Sequence, residues 1–244
     1  MIHILRPGDG PALVCLHPSD GQVDHYQPLT AELSWRGPIL GVEAEPGVRR
    51  IDELAVHYAD QLAPSRPAAL LGWAVGGVIA AELSRVLVDR GHHITSLAVL
   101  DSRVPQPEMR TRPTDRDTLA RFFVYQRAMM QERTPPPPPT SSDAAALVAA
   151  CDITDEAELE RRLQIFIELT RAFLAHEQRP VPIALDLFEA ADAAPSHPKP
   201  PTLGWDGLSP RLVKHSIAGT HFTLLAPRRC ADLGRAISAT LSTL

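Results

Sequence analysis

The chain has 244 residues, enough for one large domain with a full hydrophobic core. Its 24 lysines and arginines stand against 29 aspartates and glutamates, a net charge of −5 with no basic run, which argues against nucleic acid as a partner. The longest nearly uncharged apolar run, Ala68 to Ala81, is too short to span a bilayer, and "MIHILRPGDG" lacks the regions of a secretory leader, so the expectation is a cytoplasmic protein with no membrane partner.

Taken in order, the first half alternates short apolar runs with helical patterns. "ALVCL" (Ala12 to Leu16) reads as a buried strand ending at His17-Pro18, Tyr26 to Leu33 as a helix, and "PILGVEA" (Pro38 to Ala44) as a second strand. "IDELAVHYADQL" then places Ile51, Leu54, Ala55, Tyr58 and Leu62 on one helical face. A strand at Ala68 to Gly72, a helix from Val75 to Asp89 closed by Gly91, and a strand at Ile94 to Asp101 follow. Such alternation predicts an α/β fold, a mostly parallel sheet flanked by helices.

From about 102 to 180 no convincing strand occurs. One amphipathic helix gathers Leu119, Phe122, Phe123, Met129 and Met130, and another aligns Leu159, Leu163, Phe166, Thr170 and Phe173, with Asp155 and Glu158 spaced as a capping box. Between them "TPPPPPTSSD" reads as a stiff connector. Strand character returns at Val181 to Ala190 and Leu212 to Ile217, and "CADLGRAISATL" supplies a closing helix. Three scattered cysteines, Cys15, Cys151 and Cys230, read as reduced buried thiols, and no histidine or cysteine spacing suggests a metal.

The stretch "LLGWAVGGVIAAEL" has the outline of a nucleophile elbow, G-x-S-x-G, with alanine at position 74 where the serine would stand. Gly72 and Gly76 meet the steric demand of a sharp strand-to-helix turn, and the Val75 N–H would face the site at the positive end of a helix. Alone, this pattern also fits an ordinary strand-to-helix turn. Asp101 at the end of the next strand, and His221 in the loop "AGTHFTLL", add an acid and a base in the order elbow, acid, histidine. "LHPSDG" follows an early strand, and the Ser19 N–H is the candidate second oxyanion donor.

On these residues the chain resembles the thioesterase domains that end nonribosomal peptide and polyketide assembly lines, within the α/β-hydrolase superfamily. "LVCLHPSDGQVDHYQPLTAEL" is similar to that family's early strand and oxyanion loop, "LLGWAVGGVIAAELSRVL" to its elbow, "LAVLDSRVP" to its acid-bearing strand end and "GTHFTLL" to its histidine loop. The resemblance implies a single α/β-hydrolase domain over 1–244 with a helical lid inserted at about 102–180. It implies no bound cofactor: the substrate, a peptidyl or polyketide chain, arrives on the phosphopantetheine arm of an acyl or peptidyl carrier domain. A serine at position 74 would attack that thioester with His221 as general base and Asp101 as its orienting acid, and water or an internal nucleophile would then release an acid or a macrocycle. Phe122, Phe123, Met129, Phe166 and Phe173 are the lid residues that would line the substrate, though the same side chains suit packing of the lid onto the core.

Ala74 is the departure from the family's pattern, since a methyl group cannot attack a thioester. Three accounts stay open: a thioesterase whose serine has been replaced, a natural non-hydrolytic relative acting as binder, scaffold or acid–base lyase or cyclase, and an esterase of another kind.

Overall fold

The computed structural model describes residues 1–47, 50–107, 118, 122, 156–192 and 200–241. Seven strands form one sheet in the order β1-β3-β2-β4-β5-β6-β7: β1 (Ile2–Arg6), β2 (Ala12–Leu16), β3 (Ile39–Val42), β4 (Pro67–Trp73), β5 (Ser96–Leu100), β6 (Leu185–Ala190) and β7 (Leu212–Ile217). All neighbouring pairs are parallel except β1 with β3, which is antiparallel with Ile2 opposite Val42. Helices α1 (Gln27–Thr30), α2 (Ile51–Leu62), α3 (Val75–Asp89), α4 (Glu156–Ala175) and α5 (Pro227–Thr240) complete the described elements.

The central strands read as unbroken apolar runs because both faces of the sheet are covered. Val14, Leu16, Leu70, Leu97, Val99 and Leu187 pack into one core with α2 and α3. The alternate residues Leu13, Cys15, Leu71, Trp73, Leu100 and Phe188 pack into a second core with Tyr26, Leu29, Leu233 and Ile237. Cys15 and Cys230 are buried, and desolvation pushes the Cys15 thiol well above the ordinary range; Cys151 lies outside the described residues.

Several boundaries differ from the sequence expectation. The helix expected over Tyr26 to Leu33 is a short 3-10 turn at Asp24–Tyr26 followed by one turn of α1, with Pro28 in its first turn. The strand expected from Pro38 to Ala44 narrows to Ile39–Val42. The strand expected from Val181 begins at Leu185, because the Val181 N–H is spent on the Leu208 carbonyl (2.7 Å) and not on a ladder. Strand β1 was not expected at all: its five residues show no buried alternation, Ile4 is 72% exposed, and it exists by pairing with the edge of β3.

Helix α4 carries two buried sides. Ile165, Leu169, Ala172 and the partly buried Phe173 face the core around α3, whereas Leu159, Leu163 and Phe166 face the core around Trp73. The segment just beyond its end is fastened to α3 through the buried Glu82, which accepts from Arg179 Nη2 at 2.7 Å. Among the described residues no helix is long and apolar enough to cross a membrane.

Candidate active site

The chain leaves β2 toward β3 on one side and leaves β4 toward β5 on the other, so the connections diverge between the adjacent strands β2 and β4. Such a reversal opens a crevice beyond the carboxyl ends of the strands, where ligands collect in open α/β sheets. The loop after β2 holds Ser19 and the turn after β4 holds Ala74.

The elbow is built by close backbone approach. A Cβ on Gly72 would collide with the Gly76 carbonyl, and one on Gly76 with the Leu16 carbonyl, so neither position takes a larger residue without displacing main chain. Ala74 occupies φ 54°, ψ −125°, a conformation that costs a non-glycine residue on the order of 1–3 kcal/mol and persists only where its surroundings over-determine it. Here the Ala74 N–H donates to the Leu100 carbonyl (3.1 Å) and the Ala74 carbonyl accepts from the Gly77 N–H (3.1 Å). Val75 is the first residue of α3, and its N–H points out of the positive end of that 15-residue helix.

Asp101 follows β5 with its own positive φ of 39°. Its N–H donates to the Phe188 carbonyl at 2.7 Å, and its Oδ1 accepts from the Ala190 N–H at 3.1 Å. The other oxygen, Oδ2, lies 2.9 Å from His221 Nδ1. With the proton of Nδ1 given to a carboxylate, Nε2 of the neutral ring is the acceptor nitrogen. The histidine loop is itself tied to the elbow: Trp73, which precedes Ala74, donates from Nε1 to the His221 carbonyl (3.1 Å), and the two rings lie 5.4 Å apart. Asp101 and His221 are thus brought together beside the turn that carries Ala74.

Ser19 sits inside a turn closed by the Gly21 N–H donating to the Pro18 carbonyl (3.1 Å). His17, fully buried, bonds that same carbonyl through Nδ1 (2.9 Å), and its Nε2 accepts from the Tyr58 hydroxyl at 2.7 Å. Burial pushes the His17 imidazole down to about 4, so the ring is neutral and the bond pattern fixes one tautomer. The unfolded chain takes up this proton near the ordinary histidine value of about 6.5, so the contribution of neutral His17 to stability is complete above pH 6.5 and is lost as pH falls toward 4. Urea unfolding between pH 7 and pH 4 is expected to show this decline. In the same range an NMR titration is expected to leave the His17 ring neutral until about pH 4; a ring titrating at the ordinary value would mean that water reaches it.

Helix α4 roofs this loop. A Cβ on Gly21, whose φ is +80°, would lie 2.7 Å from Ile165, and the Gly47 N–H donates to Glu168 Oε2 at 2.6 Å. Phe166 meets Phe122 edge to face at 5.3 Å, both buried in the cluster against which Ala74 packs. Phe173 does not join them, because it faces the opposite core. Phe123, Met129 and Asp155 lie outside the described residues. The carboxylate of Glu158 takes bonds from Arg161 (2.8 Å) and Arg162 (2.5 Å), which hold it down at about 2. Sequence reasoning took Trp73 as part of the elbow stretch and passed over Tyr58 and His25 as parts of this region. Among the described residues no group of three or more histidine, cysteine or acidic side chains could hold a metal ion.

Comparison with solved structures gives the same architecture. The chain superposes along its full length on 20% of the four-domain nonribosomal peptide synthetase holo-AB3403, bound to AMP and glycine, with a TM-score of 0.83 at 21% identity. Over 98% of its length it superposes on 96% of the Vlm2 thioesterase domain carrying 2,3-diaminopropionic acid bound with a dodecadepsipeptide (TM-score 0.70, 23% identity). The fold is that of the α/β-hydrolases. The model of the thioesterase domain family matches residues 11–241, and the chain belongs to that family. Among curated relatives, vanchrobactin synthetase VabF of Vibrio anguillarum is 24% identical over 98% of this chain. Enterobactin synthase component F of Escherichia coli K12 is 31% identical over 43% of it. The chain spans only 8% and 9% of the lengths of those two proteins.

Proposed function

We propose that this chain is the terminal thioesterase-type domain of a nonribosomal peptide or polyketide system, acting on a peptidyl or acyl chain held on the phosphopantetheine arm of a carrier domain. In this reading position 74 is the nucleophile position, His221 the general base, Asp101 its orienting acid, and the Ser19 and Val75 N–H groups the oxyanion donors, all within one domain over 1–244 whose lid spans about 102–180. With alanine at position 74 the chain engages its substrate and does not turn it over. One observation carries the reading: Ala74 is held at φ 54° in the turn beside the His221–Asp101 pair. A domain that only binds or scaffolds has no use for a strained alanine, whereas a nucleophile needs this backbone to project its side chain. That strain favours a replaced serine over a natural binder or a lyase using His221 and Asp101 alone.

The test offers a carrier domain loaded with an acyl or peptidyl phosphopantetheine thioester to the chain as it stands. The loaded carrier is expected to bind more tightly than the unloaded one, with the acyl group still on the carrier by intact mass and no acyl adduct on this chain. Release of the acid, or equal affinity for both carriers, would sink the reading.

A further inference from the structure

The turn that contains Ser19 is held from two sides, and a histidine stands on each. On one side is neutral His17 with Tyr58. On the other, Asp20, almost fully buried, accepts the Gln22 N–H at Oδ1 (3.1 Å) and meets His25 Nε2 at Oδ2 (2.7 Å). The His25 ring stands edge-on to Trp73 at 5.7 Å and 81°, so one indole is touched by His25 and by His221. Tyr26, the next residue, spans the same gap, donating to the Leu16 carbonyl (2.7 Å) and accepting from the Trp73 N–H (2.8 Å). The loop after β2 and the elbow after β4 are therefore joined through residues 20, 25 and 26.

We propose that His25 is a positioning residue: as an imidazolium clamped between Asp20 and Trp73, it fixes the Ser19 turn so that the Ser19 N–H is aimed at the substrate carbonyl oxygen. This rests on the reading of that N–H as an oxyanion donor.

The charges around His25 favour the clamped form. Asp24 Oδ1 lies 3.8 Å from Nδ1 on the same short turn, and Arg162 approaches from α4, already engaged by Glu158. Burial works against the cation, yet the charge and hydrogen bond of Asp20, with Asp24 behind them, outweigh burial and Arg162 and hold His25 above the ordinary histidine value. A raised folded-state value means that the clamp is at full strength below the unfolded value and weakens as pH rises through the folded one. The neutral ring can still donate Nε2–H to Asp20, so deprotonation loosens the turn without releasing it.

Amide hydrogen exchange on the chain as it stands reads this directly. Protection factors of Gly21 and Gln22, whose N–H groups donate to the Pro18 carbonyl and to Asp20 Oδ1, are expected to fall about tenfold as pH is raised through the His25 titration, and to be low and pH-independent in His25→Gln. Amides of β5 should not change in either case. NMR should place the His25 ring above the ordinary histidine value, and Asp20→Asn should bring it down. In an Ala74→Ser background, His25→Gln is expected to lower kcat about 10²-fold with KM little altered, the signature of a misaimed oxyanion donor. Protection at 21 and 22 that ignores both pH and His25→Gln, or a rise in KM as large as the fall in kcat, would overturn the clamp. If the Ala74→Ser protein releases nothing while the pH-dependent protection is present, the thioesterase reading fails and the clamp stands.

Discussion

If position 74 is the nucleophile position, as proposed, Ala74→Ser is expected to raise the release of an acyl-pantetheine thioester on the order of 10⁴- to 10⁶-fold. The size follows from what is already in place. The backbone at position 74 is held at φ 54°, ψ −125° by bonds to Leu100 and Gly77, so a serine inherits the strained conformation and pays nothing further for it. On the proposed roles the base needs no rebuilding either: His221 Nδ1 bonds Asp101 at 2.9 Å, which leaves Nε2 as the acceptor nitrogen. What the alanine lacks is one oxygen atom. Intact mass should show an acyl adduct on the Ala74→Ser protein that decays in water, and a fluorophosphonate should label that protein and leave the unsubstituted chain untouched. Thermal stability should change little, since the substitution adds one polar atom to a half-buried position. If no adduct and no label appear while the protein remains folded, the elbow is a packing turn and the domain is a binder.

The parts of this site that were legible in the sequence are those whose cause is local. The close packing at Gly72 and Gly76 excludes other residues whatever the rest of the chain does, so the turn announced itself through its glycines. The buried strands announced themselves as apolar runs because both faces are covered. Asp101 and His221 were found from chain order, which the topology turns into adjacency. What could not be read was long-range. Tyr58 reaches His17 across 41 residues, and no periodicity marks a single hydroxyl on a helix as the partner of a loop imidazole. Strand β1 exists only because β3 offers it an edge. The sequence pattern gives helix α4 one apolar stripe ending at Phe173, but the helix wedges between two cores, so Phe173 turns away from the Phe122–Phe166 pair.

The second large effect is expected from Asp101→Asn in the Ala74→Ser background, a loss of about 10³- to 10⁴-fold in kcat with KM little changed. The geometry decides which way the new amide faces. Oδ1 of Asp101 accepts from the Ala190 N–H at 3.1 Å, and an NH₂ group there would meet a donor with a donor. Asparagine therefore keeps its carbonyl oxygen toward Ala190 and turns its NH₂ toward His221 Nδ1. That nitrogen must then be the unprotonated one, which moves the ring proton to Nε2, where the base has to be free to accept. The histidine remains in position, held by the Trp73 bond to its carbonyl, and presents the wrong tautomer. Three measurements separate this from simple unfolding: single-turnover acylation should slow by the full factor, carrier binding should be retained, and ¹⁵N spectra should show the ring proton on Nε2. A loss below about tenfold would mean that Asp101 does not govern His221, and a loss accompanied by failed carrier binding would make Asp101 a structural residue of the β5 end.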